Sequence, residues 1–228
     1  NIDMHGTDGS TQVHSGDDGH NHAPSVSETP SITQPARPIN TMRMISADEI
    51  IARNKISKEH ADKFGYLLVQ NFEGRIVPMN TQALDVLRKL YKSDSFKGSD
   101  GKSLDANQWF LSINTDTASW TMVPLIKITK GGDELKKKAK ANEDGYTSLM
   151  NLFPMDPKTG ALHYVLEEDY NIAFNKKPAE QSKYDLAVID LNDRVQVFNE
   201  FFSGQFMRIV PVKNDPNHRW NSWLNENF

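Results

Sequence analysis

Seven histidines and no cysteine set the chemical range open to these 228 residues. Without a thiolate there can be no disulfide, no cysteine metal site and no cysteine nucleophile in this chain. That says little about compartment, because an oxidising space permits disulfides without requiring them. Four histidines, His5, His14, His20 and His22, fall in the first two dozen residues, the last two as His-Asn-His. Imidazoles so spaced are candidate ligands for zinc, nickel or copper. His20 and His22 are the metal candidates, against the plainer reading of a His-rich polar linker with no ligand held at fixed geometry. His60, His163 and His218 remain. His60 precedes a hairpin-like stretch and reads either as a buried packing residue or as an axial haem ligand, with packing the better account. His163, among Leu162, Tyr164 and Val165, reads as packing, and His218 as exposed near the end of the chain.

Other constellations are missing. The sequence has no G-x-x-x-x-G-K-[ST], G-x-G-x-x-G, H-E-x-x-H or G-x-S-x-G, so phosphate-loop, dinucleotide, zinc-protease and serine-elbow chemistry have no foothold. The acidic pairs Glu167–Glu168 and Asp190–Asp193 read as solvated helix faces, since nothing separates their roles as an acid and a base. Trp109, Trp120, Phe198 and Phe202 could hold a flat ligand, but large apolar faces of this kind are first of all core. The catalytic set is therefore empty.

Twenty-six basic side chains stand against thirty acidic ones, for a net charge of −4. Only Lys136-Lys137-Lys138 forms a basic run, so no nucleic-acid partner is indicated. The longest apolar runs, such as 66–69 and 122–126, fall far short of the roughly 20 residues a bilayer span needs. The first residues are polar and acidic, unlike a signal peptide. Either the protein is plainly soluble or the chain is the soluble part of something larger, and the start at Asn1 without methionine favours the second.

Residues 1–44, rich in Gly, Ser, Thr, Asp, Pro and His, are expected to form a disordered tether, because they can bury too little to offset ordering entropy. Residues 45–228 are long enough to fold as one domain. "SADE" (46–49) has the form of a capping box, and Ser57 suits the cap of a second short helix ending at Gly65. Residues 66–69 and 75–77 flank "QNFEG", which predicts a hairpin with Gly74 at positive φ. Pro78 should end the second strand, and Asn80 is expected to cap a helix whose Leu84, Leu87 and Leu90 share a face. "GSDGKS" (98–103) predicts a loop, followed after Asp105 by a helix with Trp109, Phe110 and Ile113. Residues 120–128 read as extended and 131–141 as a solvated helix. Residues 153–162 read as turn-rich, with a helix over 161–173. The strongest helix follows Pro178, where Tyr184, Val188, Leu191, Val195, Phe198 and Phe202 form a buried stripe between Ser182 and Gly204. "QFMRIVPV" (205–212) predicts a strand joining the earlier hairpin. The fold class is α+β, mainly α-helical with one small antiparallel β-sheet.

The passage "EHADKFGYLLVQNFEGRIVPMNTQALDVLRKLY" (59–91) resembles the extracytoplasmic region of the fused ResB/CcsA-type proteins of Bacteroidetes-like bacteria, which serve System II cytochrome c biogenesis. "KPAEQSKYDLAVIDLNDRVQVFNEFFSGQFMRIVPV" (177–212) looks like that family's long helix and following strand, and "NDPNHRW" (214–220) like the segment closing the domain. The resemblance covers roughly residues 45–223. It implies a periplasmic domain on a membrane-anchored parent that resembles a cytochrome c haem lyase, and a role as scaffold or docking domain without catalysis of its own. The implied cofactor, haem, belongs to the parent; the implied partners are its transmembrane half and apocytochrome c. The family's Trp-Trp-Asp pattern is absent here, so no haem ligand carries over. Arg75, which could meet a propionate or an acidic partner bidentately, and Asn80 are the interaction candidates. The alternative is an independent periplasmic haem- or metal-binding module using His60 or the histidine-rich start.

Overall fold

The computed structural model describes residues 44–222 and 224, so the tether assigned to 1–44 lies outside the described residues but for Met44, as do His20 and His22. Side-chain caps start several of the domain's helices. Ser46 and Glu49 complete the capping box at the start of α1 (Ala47–Arg53), and Ser57 accepts from the His60 amide at the start of α2 (Lys58–Gly65). Residues 66 and 67 are spent closing α2, their amides donating to Lys63 and Phe64 carbonyls. Strand β1 (Leu68–Gln70) therefore starts two residues later than the apolar run suggests, and pairs antiparallel with β2 (Ile76–Pro78).

Helix α3 (Met79–Tyr91) follows without a gap. Asn80 is not its cap: Pro78 occupies that position, and no side chain closes the first turn. Pro78 is extended there, at φ −61° and ψ 145°, and carries no side-chain acceptor for the first turn. The buried stripe of α3 runs through Met79, Ala83, Val86, Leu87 and Leu90, with Leu84 at its margin. A second hairpin, β3 (Ser95–Lys97) with β4 (Ser103–Asp105), leads into α4 (Ala106–Thr115) through a capping box of Asp105 and Gln108. The short α5 (Thr117–Trp120) and an extended stretch precede β5 (Ile126–Lys127). β5 pairs with β6 (Tyr146–Thr147) across α6 (Gly132–Lys138), and α7 (Leu149–Leu152) follows.

The helix expected over 161–173 starts only at Glu167, as α8 (Glu167–Asn175). Residues 156–162 are taken by a turn instead. The Asp156 carboxylate accepts from the Lys158 and Thr159 amides at 2.7 and 3.1 Å, Gly160 has φ 71°, and Met155 bridges Leu162. A 3-10 turn at Pro178–Glu180 leads to α9 (Lys183–Phe202), capped by the Ser182–Asp185 box and closed before Gly204 at φ 66°. Val188, Leu191, Val195 and Phe198 are buried as expected, but the last turn buries Phe201 and exposes Phe202. A second 3-10 turn, Gln205–Met207, precedes β7 (Arg208–Pro211), which pairs with β8 (Trp220–Ser222).

The class is thus α+β and mainly helical. Its strands form separate two-stranded hairpins rather than one sheet. β7 does not extend the first hairpin's ladder. It lies beside β1 through side chains: Arg208 Nε donates to the Gln70 carbonyl at 3.1 Å, the Gln70 amide donates to His218 O at 3.0 Å, and Trp220 N–H donates to Gln70 Oε1 at 2.8 Å.

The centre is aromatic. Trp109 and Trp120 meet edge to face at 6.3 Å, Phe96 packs on Trp120 at 4.9 Å, and Phe110, Phe201 and Phe206 close one side. Trp120 donates to Ser112 Oγ at 3.1 Å, whereas the Trp109 indole N–H has no partner. Trp109, Trp120 and Phe198 are core, as read from the sequence.

Candidate functional site

Arg75 and Asn80 both border the first hairpin, and the hairpin is built with care. The Asn71 carboxamide oxygen accepts from the amides of Glu73 and Arg75, at 3.0 and 2.9 Å, which folds the turn locally. Gly74 completes it at φ 79°, where a side chain would be strained. At the other end the Met79 amide donates to Leu67 O at 2.7 Å. Val69 turns inward and is fully buried, while Leu68 and Ile76, diagonal neighbours on the opposite face, are exposed; Gln70, on that same face opposite Ile76, is covered by the last strands.

Tyr66, 82% exposed, and Leu67, in the turn that leads into the hairpin, are exposed apolar residues too, as Leu68 is at 53%. Single exposed apolar residues are ordinary, but a run of them on one short hairpin marks a surface that meets something. It is also held firmly. Gln70, only 6% exposed, is clamped to Gly74 O as well as to His218 and Trp220, so the hairpin cannot swing away from the last strands. Behind it, Gly65 packs so tightly on Asn107 that an added Cβ would lie 2.7 Å from its amide nitrogen. Asn107 in turn accepts from the Asn80 carboxamide at 3.1 Å.

Asn80 is itself exposed, and its carboxamide ties α3 to α4 through Asn107. Arg75 is exposed and, among the described residues, pairs with Glu73, itself in solvent. Such an exposed pair contributes little to stability and exchanges easily for another partner. Arg75 stands next to the apolar surface; Asn80 holds it in place.

The histidines are not brought together. His60, His163 and His218 are each exposed, so the packing expected of His60 and His163 does not occur. On α2, His60 uses only its backbone amide, in the Ser57 cap. His218 adopts φ 51° in a turn whose carbonyl serves Gln70. His163 lines an open cleft with Tyr164, Val165 and Ile172, rimmed by Glu167 and Glu168. Haem would need an imidazole, apolar walls and cations for its propionates. The cleft offers an imidazole and some apolar wall but carboxylates where the cations should be, so the residues present do not fit the group. Among the described residues no cluster of three or more His, Asp or Glu could hold a metal ion, and no helix is long and apolar enough to cross a membrane.

The acidic pairs divide. Glu167 and Glu168 are solvated. Asp190 instead neutralises Arg194, which is buried under it and also donates to Lys127 O. Burial lowers the Arg194 pKa and Asp190 counters this, the behaviour of a structural ion pair rather than an acid–base couple. What the sequence did not disclose was Gln70. A polar residue at the second buried position of a short strand was the available signal, visible in "LLVQ".

No family model matches the chain. A curated relative, Protein NrfI from Wolinella succinogenes, is 28% identical over 167 residues, covering 73% of this chain. The chain spans only 17% of that relative's length.

Proposed function

We propose that the chain is a docking domain of a larger, membrane-anchored cytochrome c biogenesis protein, and that it lies on the periplasmic side of the cytoplasmic membrane. Its partners are the transmembrane half of the same protein and the apocytochrome c that receives haem. Two things support this reading. The similarity to Protein NrfI supports, at low identity, a relationship to cytochrome c biogenesis. The observation that carries the docking role is the braced hairpin, whose Leu68 and Ile76 face outward beside a readily exchanged Arg75.

In this account the domain contributes position, not chemistry. The thioether-forming step belongs to the parent, and the hairpin holds a partner in register by apolar contact, with the peripheral charges setting orientation. A haem-binding module in its own right is disfavoured by the carboxylate rim beside His163.

The test is a pair of titrations of the purified chain. Unfolded apocytochrome c carrying Cys-x-x-Cys-His is expected to bind saturably, and Leu68→Asp is expected to weaken that binding by about tenfold, as for loss of a central apolar anchor. Ferric haem, followed by Soret absorbance, is expected to give no saturable shift. A saturable haem shift abolished by His60→Ala would overturn the assignment in favour of a haem-bearing module.

A further inference from the structure

A groove of about 350 Å³ opens on the side of the hairpin turn, between α3 and α9. Each helix gives it one face. From α3 come Gln82, Asp85, Val86 and Lys89, and from α9 come Asp193, Gln196, Val197 and Glu200, both sets at helical i, i+3, i+4, i+7 spacing. Phe72 of the turn and Phe206 close the end, meeting edge to face at 5.4 Å.

Three properties point to an occupant. The interior is apolar, with Val86, Val197 and Phe206 inside and Phe72 still 53% exposed. The rim is mainly acidic: Glu73, Asp85, Asp193 and Glu200 line it with Lys89, and Arg208 sits over the Phe72 ring at 4.7 Å near Glu200. Asp85, Asp193 and Glu200 make no ion pair among the described residues, and Glu73 has only the solvent-exposed Arg75. The third is Gln82, only 6% exposed as a residue, which lines the groove and whose carboxamide reaches solvent there. A carboxamide facing a groove offers a donor and an acceptor side by side, the complement of a peptide backbone.

We infer that this groove binds a polypeptide segment carrying lysines or arginines around an apolar side chain. The apolar side chain enters between Val86 and Val197, the Gln82 carboxamide pairs with the segment's backbone, and the flanking cations meet Asp85, Asp193 and Glu200. The charge of the rim excludes acidic segments and anionic lipid. The inference rests on the docking reading and deepens it, giving the domain two surfaces: an apolar hairpin and a cation-selecting groove beside it.

The test uses the whole chain and a fluorescein-labelled peptide in which leucines are flanked by lysines, with a glutamate-for-lysine counterpart. Anisotropy is expected to give saturable binding of the lysine peptide that weakens severalfold as salt rises, and none of the counterpart. Asp85→Lys and Asp193→Lys, both at exposed positions, are each expected to weaken binding about threefold to fivefold. Gln82→Leu, close in volume, is expected to weaken it while leaving the circular dichroism unchanged. Equal binding of both peptides, or binding indifferent to Asp85→Lys, Asp193→Lys and Gln82→Leu together, would overturn the groove assignment. The docking reading fails separately: if the parent protein without this domain still matures cytochrome c, that reading falls even with the groove occupied.

Discussion

Asp185 is nearly buried and yet charged, which follows from what surrounds it. Lys176 Nζ lies 2.8 and 2.9 Å from its two oxygens, and Ser182 donates from its backbone amide at 2.7 Å. The lysine first, then the serine, hold its pKa down at about 2. A carboxylate whose folded pKa lies below its unfolded value stabilises fully above the unfolded value and ceases to do so as pH falls toward the folded one. Denaturation midpoints should therefore drop more steeply between about pH 4 and pH 2 in the wild type than in Asp185→Asn, the curves running parallel above that window. An acid profile of Asp185→Asn as steep as that of the wild type would show the carboxylate carries no such linkage. Asn80 gives a second lesson at this scale. Its position near a proline and before a helical stripe is what a cap looks like in sequence, but Pro78 takes the cap position, and the Asn80 carboxamide bonds Asn107, which packs against Gly65.

Helices were more legible than sheets, and the reason lies in how each is specified. Ser46, Ser57 and Ser182 announce their helices through bonds three residues away, so local sequence suffices. The pairing of β7 is a long-range matter. The strand resembles a partner for the first hairpin in its apolar pattern, yet it pairs with β8, which nothing between residues 212 and 219 signals. Arg208 of β7 reaches β1 at the Gln70 carbonyl, and the Gln70 side chain bonds His218 and Trp220, about 150 residues away in sequence. The helix expected from residue 161 failed similarly, because Asp156 and Gly160 spend those residues on a turn. The candidate surface was half legible: the hairpin was visible, its solvent-facing Leu68 and Ile76 depended on strand register, and His60 was assigned to packing although its helix turns it outward. Gln70→Ala should cost about 2–4 kcal/mol, taking three lost side-chain hydrogen bonds at roughly 1 kcal/mol each. Hydrogen exchange should rise selectively in residues 208–222 while α3 and α4 stay protected. Uniform exchange across the domain would mean that the last hairpin is held by something other than Gln70.

At the scale of the whole molecule, the aromatic centre and the capped helices form a frame that carries exposed apolar and charged groups on its outside. The hairpin surface is apolar, braced from behind by Gly65, Asn107 and Asn80, and clamped at its edge by Gln70. A rigid frame with an outward apolar hairpin suits a protein whose task is to hold a partner still while another part of the assembly reacts with it. The most direct measurement is haem-stained c-type cytochrome in cells whose parent gene carries Leu68→Asp with Ile76→Asp, set beside the level of the parent protein in the membrane. The account predicts that mature cytochrome c falls at least severalfold while the parent protein remains at its normal level, because both substitutions lie in solvent and spare the frame. Undiminished haem-stained cytochrome in that strain would contradict the docking role of the hairpin.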